Sequence, residues 1–298
     1  MEIRGELSGP IEFVAVGHLA VDLRKRERTL GGAAAYGCLA AARLGRASAM
    51  VTAVGEDFDL FEPLEGIEIH YHPSRESTTF KNEYRSEHRH QHILGRARPL
   101  TEADLAPLRS RLADDAMVLY CPIAREVEAP LVPFEPGGAC GVAPQGFFRC
   151  WDDDGAIRTC SWEGAATALA DATFISLSVA DAPRPRELAA ELARGDRILA
   201  LTEGERGARV YTGGRCFHVP AWERPELEPT GAGDVFAASF LVALGEGREP
   251  LEAAQFAVCA ASFAVEAKGV TGVFQSRADV ERRLADNRAR HRPREIEP

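Results

Sequence analysis

Apolar residues along the chain gather in short runs, and the stretches between them show helical periodicity. Residues 12–17 (EFVAVG), 49–54, 117–120, 141–142, 173–177 and 198–202 are apolar enough to predict buried strands. Residues 32–44 predict a helix closed by Gly45. Residues 101–113 predict a helix opened by Thr101, and 185–194 one with Pro at its start and Gly195 after its end. Phe236, Phe240, Ala243 and Leu244 repeat at helical spacing, so another helix starts at about Asp234. Residues 250–267 are apolar nearly all round, which predicts a buried helix. This alternation predicts an α/β fold: a mostly parallel central sheet with helices on both faces.

Residues 67–94 break the pattern. They are polar, and Thr78, Thr79, Phe80 and Tyr84 alternate like strands of a small exposed sheet. The tail from Arg288 is charged and contains Pro, so it is expected to fray. No internal repeat interrupts the chain, and 1–298 reads as one α/β domain.

Composition narrows the function. The 298 residues are 45% hydrophobic, enough for a full core. Net charge is −10 with no long basic run, which argues against nucleic acid or an anionic membrane as partner. No stretch reaches the roughly 18 apolar residues of a membrane helix, and MEIRGELSGP lacks a signal-peptide pattern. Seven scattered Cys without a CxxC read as reduced thiols of a cytoplasmic protein. Neither a GxxxxGK[ST] loop nor a GxGxxG after the first strand is present, so P-loop and dinucleotide readings fall away.

The most informative chemistry lies at Thr230-Gly231-Ala232-Gly233-Asp234. Small residues run into a helix N-terminus, where N–H groups lack intrahelical partners and the dipole favours an anion. A carboxylate at the same place makes sense if Asp234 takes a proton from a hydroxyl while the loop holds the phosphoryl group under attack.

The string TGAGDVFAASFLVAL resembles the C-terminal motif of the ribokinase (PfkB) family of small-molecule kinases. The block VGHLAVDLRKRERTLGGAAAYGCLAAARLG resembles the family's first motif, a strand ending in Gly, then Asp, then Gly-Gly opening a helix. The resemblance implies a ribokinase-like fold with a small, reduced β lid from about 18–30 and 67–95. It implies that Asp22, Gly31, Gly32 and Tyr36 line the acceptor site; many sugar-specific members have Asn where Tyr36 stands. Gln145 and Arg149, in APQGFFR, resemble a segment of members that act on polyols. Ser178-Val179-Ala180-Asp181 aligns with the family's Asn-x-x-Glu, which implies an Mg²⁺ role through water for Asp181. Thr202, Gly204 and Gly207 resemble the T-x-G-x-x-G segment that lies along the nucleotide, with Thr230 beside it. The 216–225 loop and the ends of the buried helix would form the adenine pocket. Glu228-Pro229 replaces the usual Asp-Thr, so monovalent-cation activation is not expected.

The resulting expectation is an ATP- and Mg²⁺-dependent kinase for a hydroxyl of a sugar or cyclic polyol such as an inositol. Asp234 would be the base, with the N–H groups of Gly231, Ala232 and Gly233 as anion hole. A nucleoside acceptor and a non-catalytic ligand sensor are the alternatives. His88, His90 and His92 alternate on one strand face and read as a polar lid face rather than a metal site. Arg24, Lys25, Arg26, Glu27 and Arg28, with Lys81, Glu83, Arg85 and Glu87, charge the lid. Such faces pair poorly across a dry interface, so a monomer or a homodimer not clasped through the lid is expected.

Overall fold

Phe13 and Ala15 of the strand Ile11–Val16 enter one apolar core, and Val14 and Val16 enter another. Successive side chains of a strand face opposite sides, so a strand apolar throughout must be covered twice. The computed structural model describes residues 1–25, 27–85, 88–128, 138–195 and 197–297. Among them an 11-stranded sheet runs Glu2–Arg4, Glu68–Ser74, Ser48–Gly55, Ile11–Val16, Leu112–Tyr120, Cys140–Val142, Phe174–Ser178, Ile198–Thr202, Ala208–Thr212, Arg215–Val219, Arg294–Ile296. The strands from Glu68–Ser74 through Ile198–Thr202 are parallel, and both margins are antiparallel. Helices Ala33–Arg43, Ala232–Gly245, Pro250–Ala264 and Arg277–Asn287 cover the first face. Glu102–Leu105, Ala165–Ala168 and Pro185–Leu192 cover the second. No helix among the described residues is long and apolar enough to cross a membrane.

Three expectations need correction. The helix expected over 101–113 is a single turn, Glu102–Leu105, passing into the 3₁₀ segment Ala106–Arg111. Pro107 denies the backbone a donor there, and Leu112 already begins a strand. Thr101 does open the turn, in a capping box with Asp104. Residues 68–74 belong to the main sheet, not the lid. The tail expected to fray pairs as Arg294–Ile296 against Arg215–Val219, fastened by the Arg215–Glu295 ion pair.

The lid is a four-stranded sheet in the order Glu27–Gly31, Ala20–Arg24, Thr78–Arg85, His88–Gly95. Arg26 and Glu87 lie outside the described residues, as do the side chains of Tyr84, Arg85 and His88. Its root is pinned from inside. His18 is fully buried, and its Nε2–H donates to Arg98 O at 2.9 Å. Its Nδ1 lies 2.7 Å from Thr78 Oγ1, the first residue of a lid strand. Burial holds the His18 imidazole below its ordinary pKa, hence neutral. The buried Glu126 carboxylate accepts the N–H groups of His18, Ile123 and Ala124.

Candidate active site

Lid, first helix and anion loop meet over the C-terminal ends of the parallel strands, where open α/β sheets bind ligands. They enclose a cleft of about 640 Å³.

One end of the cleft is built from side chains. Asp22 sits within the lid strand Ala20–Arg24, in register with Phe80 and Thr29. Its Oδ1 accepts an Nδ2–H of Asn82 at 2.9 Å. Asn82 Oδ1 in turn accepts an Nε2–H of Gln91, its cross-strand partner, at 3.0 Å. A polar row thus crosses three lid strands and ends on the Asp22 carboxylate. The bond to the Asp22 carboxylate is worth about 1.5–3 kcal/mol, and the bond between the two neutral amides about 0.5–1.5 kcal/mol. Gly31 makes room for that carboxylate: a Cβ there would stand 2.3 Å from Asp22 Oδ2. Gly32 follows as N-cap of the first helix, and both Gly32 and Tyr36 line the cleft. Arg149 Nη1 donates to Ile123 O at 2.9 Å, and its guanidinium lies 5.4 Å from the Phe80 ring. Arg149, Gln145, Gln91, Phe80 and Ile123 complete this end.

The other end is built from backbone. Helix Ala232–Gly245 begins two residues ahead of Asp234, and Gly231 is its N-cap with φ 86. L side chains rarely adopt that conformation, and a Cβ at Gly231 would also stand 2.2 Å from the Tyr36 ring. The close packing of Gly231 on Tyr36 joins the two ends of the cleft. Ala232 N–H binds Pro229 O at 3.3 Å, and Val235 N–H binds Gly231 O at 2.9 Å. The expectation that Ala232 belongs to the anion hole is therefore corrected: a turn over 229–232 uses its donor. Among the described residues no backbone carbonyl takes the N–H of Gly231 or Gly233. Gly233 is exposed, and nothing lies within 4 Å of a Cβ placed on it. Asp234 is half-buried in the first helical turn. Its charge reaches Cys121, whose thiol is pushed well up first by burial and then by that carboxylate.

Thr202, Gly204, Gly207 and Thr230 line the cleft between these ends. The Thr202 hydroxyl donates to Leu177 O at 3.3 Å. Beyond them the cleft runs on past Trp222, Val258, Ala261 and Val265. Trp222 is buried and stacks on His291 with ring centroids 3.7 Å apart. This apolar wall comes from the 216–225 loop and from the middle and end of the buried helix.

Asp181 stays out of the cleft. It is buried, with Oδ1 accepting Gln145 Nε2–H at 2.9 Å and Oδ2 accepting Ser178 N–H at 2.7 Å. Burial raises its pKa despite those two bonds. Both oxygens are engaged in orienting Gln145 and the strand end, so the structure does not place Asp181 as a metal-facing group. No cluster of three His, Cys, Asp or Glu forms a metal cage among the described residues. Mg²⁺ usually enters phosphoryl-transfer sites on substrate phosphates with one or two carboxylates, and Asp234 and Glu205 both line this cleft.

Comparison with known proteins adds to this geometry. Residues 172–277 match the family described as pfkB family carbohydrate kinase. The chain is 39% identical to the ribokinase of Bacillus subtilis over 87 residues, 29% of this chain and 30% of that one. It is 32% identical to the inositol 3-kinase of Zea mays over 115 residues, 38% of this chain and 30% of that one. The matched segments therefore span under a third of these relatives. Among solved structures, a pyrophosphate-dependent myo-inositol-1 kinase converted into a myo-inositol-3 kinase superposes with a TM-score of 0.73 at 22% identity, covering 92% of this chain and 99% of that one. Arabidopsis thaliana ribokinase, complexed with ribose and ATP, gives a TM-score of 0.67 at 18% identity, covering 93% and 99%. At these identities the structural likeness establishes the fold alone. Residues 172–277, which carry the anion loop and its helix, are similar to the pfkB family of carbohydrate kinases, and the chain has a ribokinase-like α/β fold.

Proposed function

We propose that this protein transfers the γ-phosphoryl group of ATP to a hydroxyl of a small polyhydroxylated acceptor, a sugar or a cyclic polyol of inositol type. One observation supports this above the others: a single cleft holds, at one end, a half-buried Asp234 beside the N–H groups of Gly231 and Gly233, which no backbone carbonyl among the described residues takes, and Asp22, Gln91, Gln145 and Arg149 at the other. A hydroxyl both donates and accepts. A carboxylate, amides and a guanidinium together satisfy many hydroxyls at once. Phe80 and Ile123 offer apolar surface to the C–H face of a ring.

In this reading Asp234 accepts the proton of the attacking hydroxyl. The acceptor oxygen bonds to the γ-phosphorus as the bond to the β–γ bridging oxygen breaks, and ADP leaves. The N–H groups of Gly231 and Gly233, at the positive end of the helix, stabilise charge on the transferring group. Mg²⁺ bound with the nucleotide supplies charge neutralisation on the phosphate oxygens. Lid strands shield the transfer from water.

The donor has a rival, because a pyrophosphate-dependent kinase is among the proteins of like fold. The wall of Trp222, Val258, Ala261 and Val265 favours ATP, since pyrophosphate would leave it bare. A nucleoside kinase of Methanocaldococcus jannaschii, 35% identical over 79 residues, keeps the nucleoside acceptor as the second reading. The decisive experiment crosses two donors, ATP and pyrophosphate, with ribose, fructose, myo-inositol and adenosine, and measures phosphorylated product. ATP turnover on a sugar or polyol is the expected result. Turnover on adenosine alone, or with pyrophosphate alone, would replace this reading, and no turnover with any pair would favour a non-catalytic sensor.

A further inference from the structure

We propose that Arg24 and Glu228 are positioning residues that make closure of the lid and ordering of the anion loop one event. The inference rests on the kinase reading for its consequence, but its physical basis is a contact in the protein alone.

Arg24 ends the lid strand that carries Asp22, two residues further on and therefore on the same face of the sheet. Its guanidinium forms an ion pair with Glu228, a residue far away in sequence, in the connection that leads into Thr230 and Gly231. Glu228 is only 7% exposed. Its second carboxylate oxygen accepts the N–H of Gly269 at 3.2 Å. The N–H groups of Leu227 and Glu228 both point to Val265 O, at 2.8 and 3.3 Å. The neighbouring lid strand Glu27–Gly31 packs against the turn Gly269–Gly272. Glu228 thus lies where lid, turn and anion loop converge.

What happens at Glu228 reaches the loop through few soft torsions. Pro229 follows directly, with φ held by its ring, and its carbonyl fixes the Ala232 N–H. Thr230 and then Gly231 follow, the glycine with its backbone against Tyr36. A buried carboxylate that loses its cation is strongly penalised, so Glu228 and Arg24 hold position together or shift together. An open lid would withdraw Arg24, leave Glu228 unpaired, and release the turn that aims the Gly231 and Gly233 donors. Acceptor held by Asp22 would thereby prepare the loop for the phosphoryl group.

Amide hydrogen exchange on the unliganded full chain tests the coupling, comparing wild type with Arg24→Ala, Glu228→Gln and the double variant. The expected result is that amides of 20–31 and of 230–235 exchange faster together, by about fivefold for a partly screened pair. The double variant should be no faster than either single one, and Arg24→Lys should restore most of the protection. Faster exchange in the lid alone, or effects that multiply in the double variant, would overturn the proposal. If Arg24→Ala does not fold, the milder Arg24→Gln and Glu228→Gln are read by the same criterion. A second arm adds MgATP: slower lid exchange in wild type but not in Glu228→Gln is expected, and equal slowing in both would overturn the coupling. Loss of turnover across the donor and acceptor panel would sink the kinase reading and leave the unliganded exchange result standing.

Discussion

The two ends of the cleft are made in different ways. The anion loop is five consecutive residues whose working parts are backbone donors, one carboxylate and the start of a helix. The acceptor end draws Asp22, Asn82, Gln91, Gln145 and Arg149 from the lid and from connections after separate strands. Backbone chemistry demands small residues at fixed spacing, so it writes a local motif. Side-chain chemistry demands only that distant residues meet, so it leaves no spacing to find. On the proposed reading, chemistry common to many acceptors belongs to the first kind, and choice of acceptor to the second.

The largest expected effect separates the two ends directly. Asp234→Asn should lower kcat by about 10²–10⁴-fold, the usual contribution of a general base. MgATP affinity, measured by calorimetry, should stay within about twofold, because the donors of the loop are untouched. Wild-type turnover in this variant would remove Asp234 from the chemistry.

At the acceptor end the pattern should invert. Asn82→Ala removes the bond that orients Asp22 Oδ1 and frees Gln91. Acceptor KM should rise by about 10–100-fold, as expected for loss of a hydrogen bond to a charged group, with the KM for ATP nearly unchanged. An equal fall of kcat for every acceptor, with KM unmoved, would show that the row does not select the substrate.

A pair of substitutions tests whether the loop is backbone-defined. Gly231→Ala places a methyl on a residue with φ 86 and into the Tyr36 ring, at a cost of about 1–3 kcal/mol from the backbone conformation alone. Gly233→Ala meets open space, within a helical turn where Ala is preferred, and should be neutral or slightly stabilising. Thermal melts that rank the two the other way would refute the geometry assigned to the loop.

The same division explains what was legible in the sequence. Strands apolar on both faces, such as Ile11–Val16 and Ile198–Thr202, stand out because a doubly covered sheet needs uninterrupted apolar residues. Asp22 and Gly31 came forward only through a family resemblance, and the structure gives the reason for the pair: the glycine clears space for the carboxylate. Asn82 and Gln91 were missed. The available signal was period two: Thr78, Phe80 and Asn82 share the buried face of their strand, which puts a polar amide among inward residues. Asp181 was misread because its neighbours in sequence say nothing of Gln145, which reaches it from another connection. Helical periodicity over 101–113 was broken by Pro107, whose missing donor outweighs the apolar pattern. Ala232 looked free because a turn through Pro229 O leaves no mark in composition.

The smallest effect expected is one of acidity, and it falls on the lid rather than on the loop. His18 joins the lid root to the main sheet as a neutral ring, donating to Arg98 O and placed against the Thr78 hydroxyl. Burial depresses its pKa, with the nearby Glu126 charge working the other way and the Arg96 and Arg98 charges adding to the depression. Once the lid root opens, the imidazole regains its ordinary value of about 6.5 and takes up a proton that the closed form refuses. Stability from His18 is therefore fully present above that pH and is lost progressively as the pH falls below it. The loop at 230–234 contains no histidine and owes its shape to backbone. Amides of 20–31 and 78–85 should lose protection between pH 7.5 and 5.5, after correction for intrinsic exchange, while those of 232–245 hold theirs. His18→Gln, which keeps a donor but does not titrate, should flatten the lid's pH dependence. His72, depressed by burial and by the Arg98 charge against the opposing pull of Asp104, titrates in the same direction, so some slope will remain. A lid whose protection is independent of pH in wild type, or an equally steep slope in the variant, would show that the His18 pin does not control the lid.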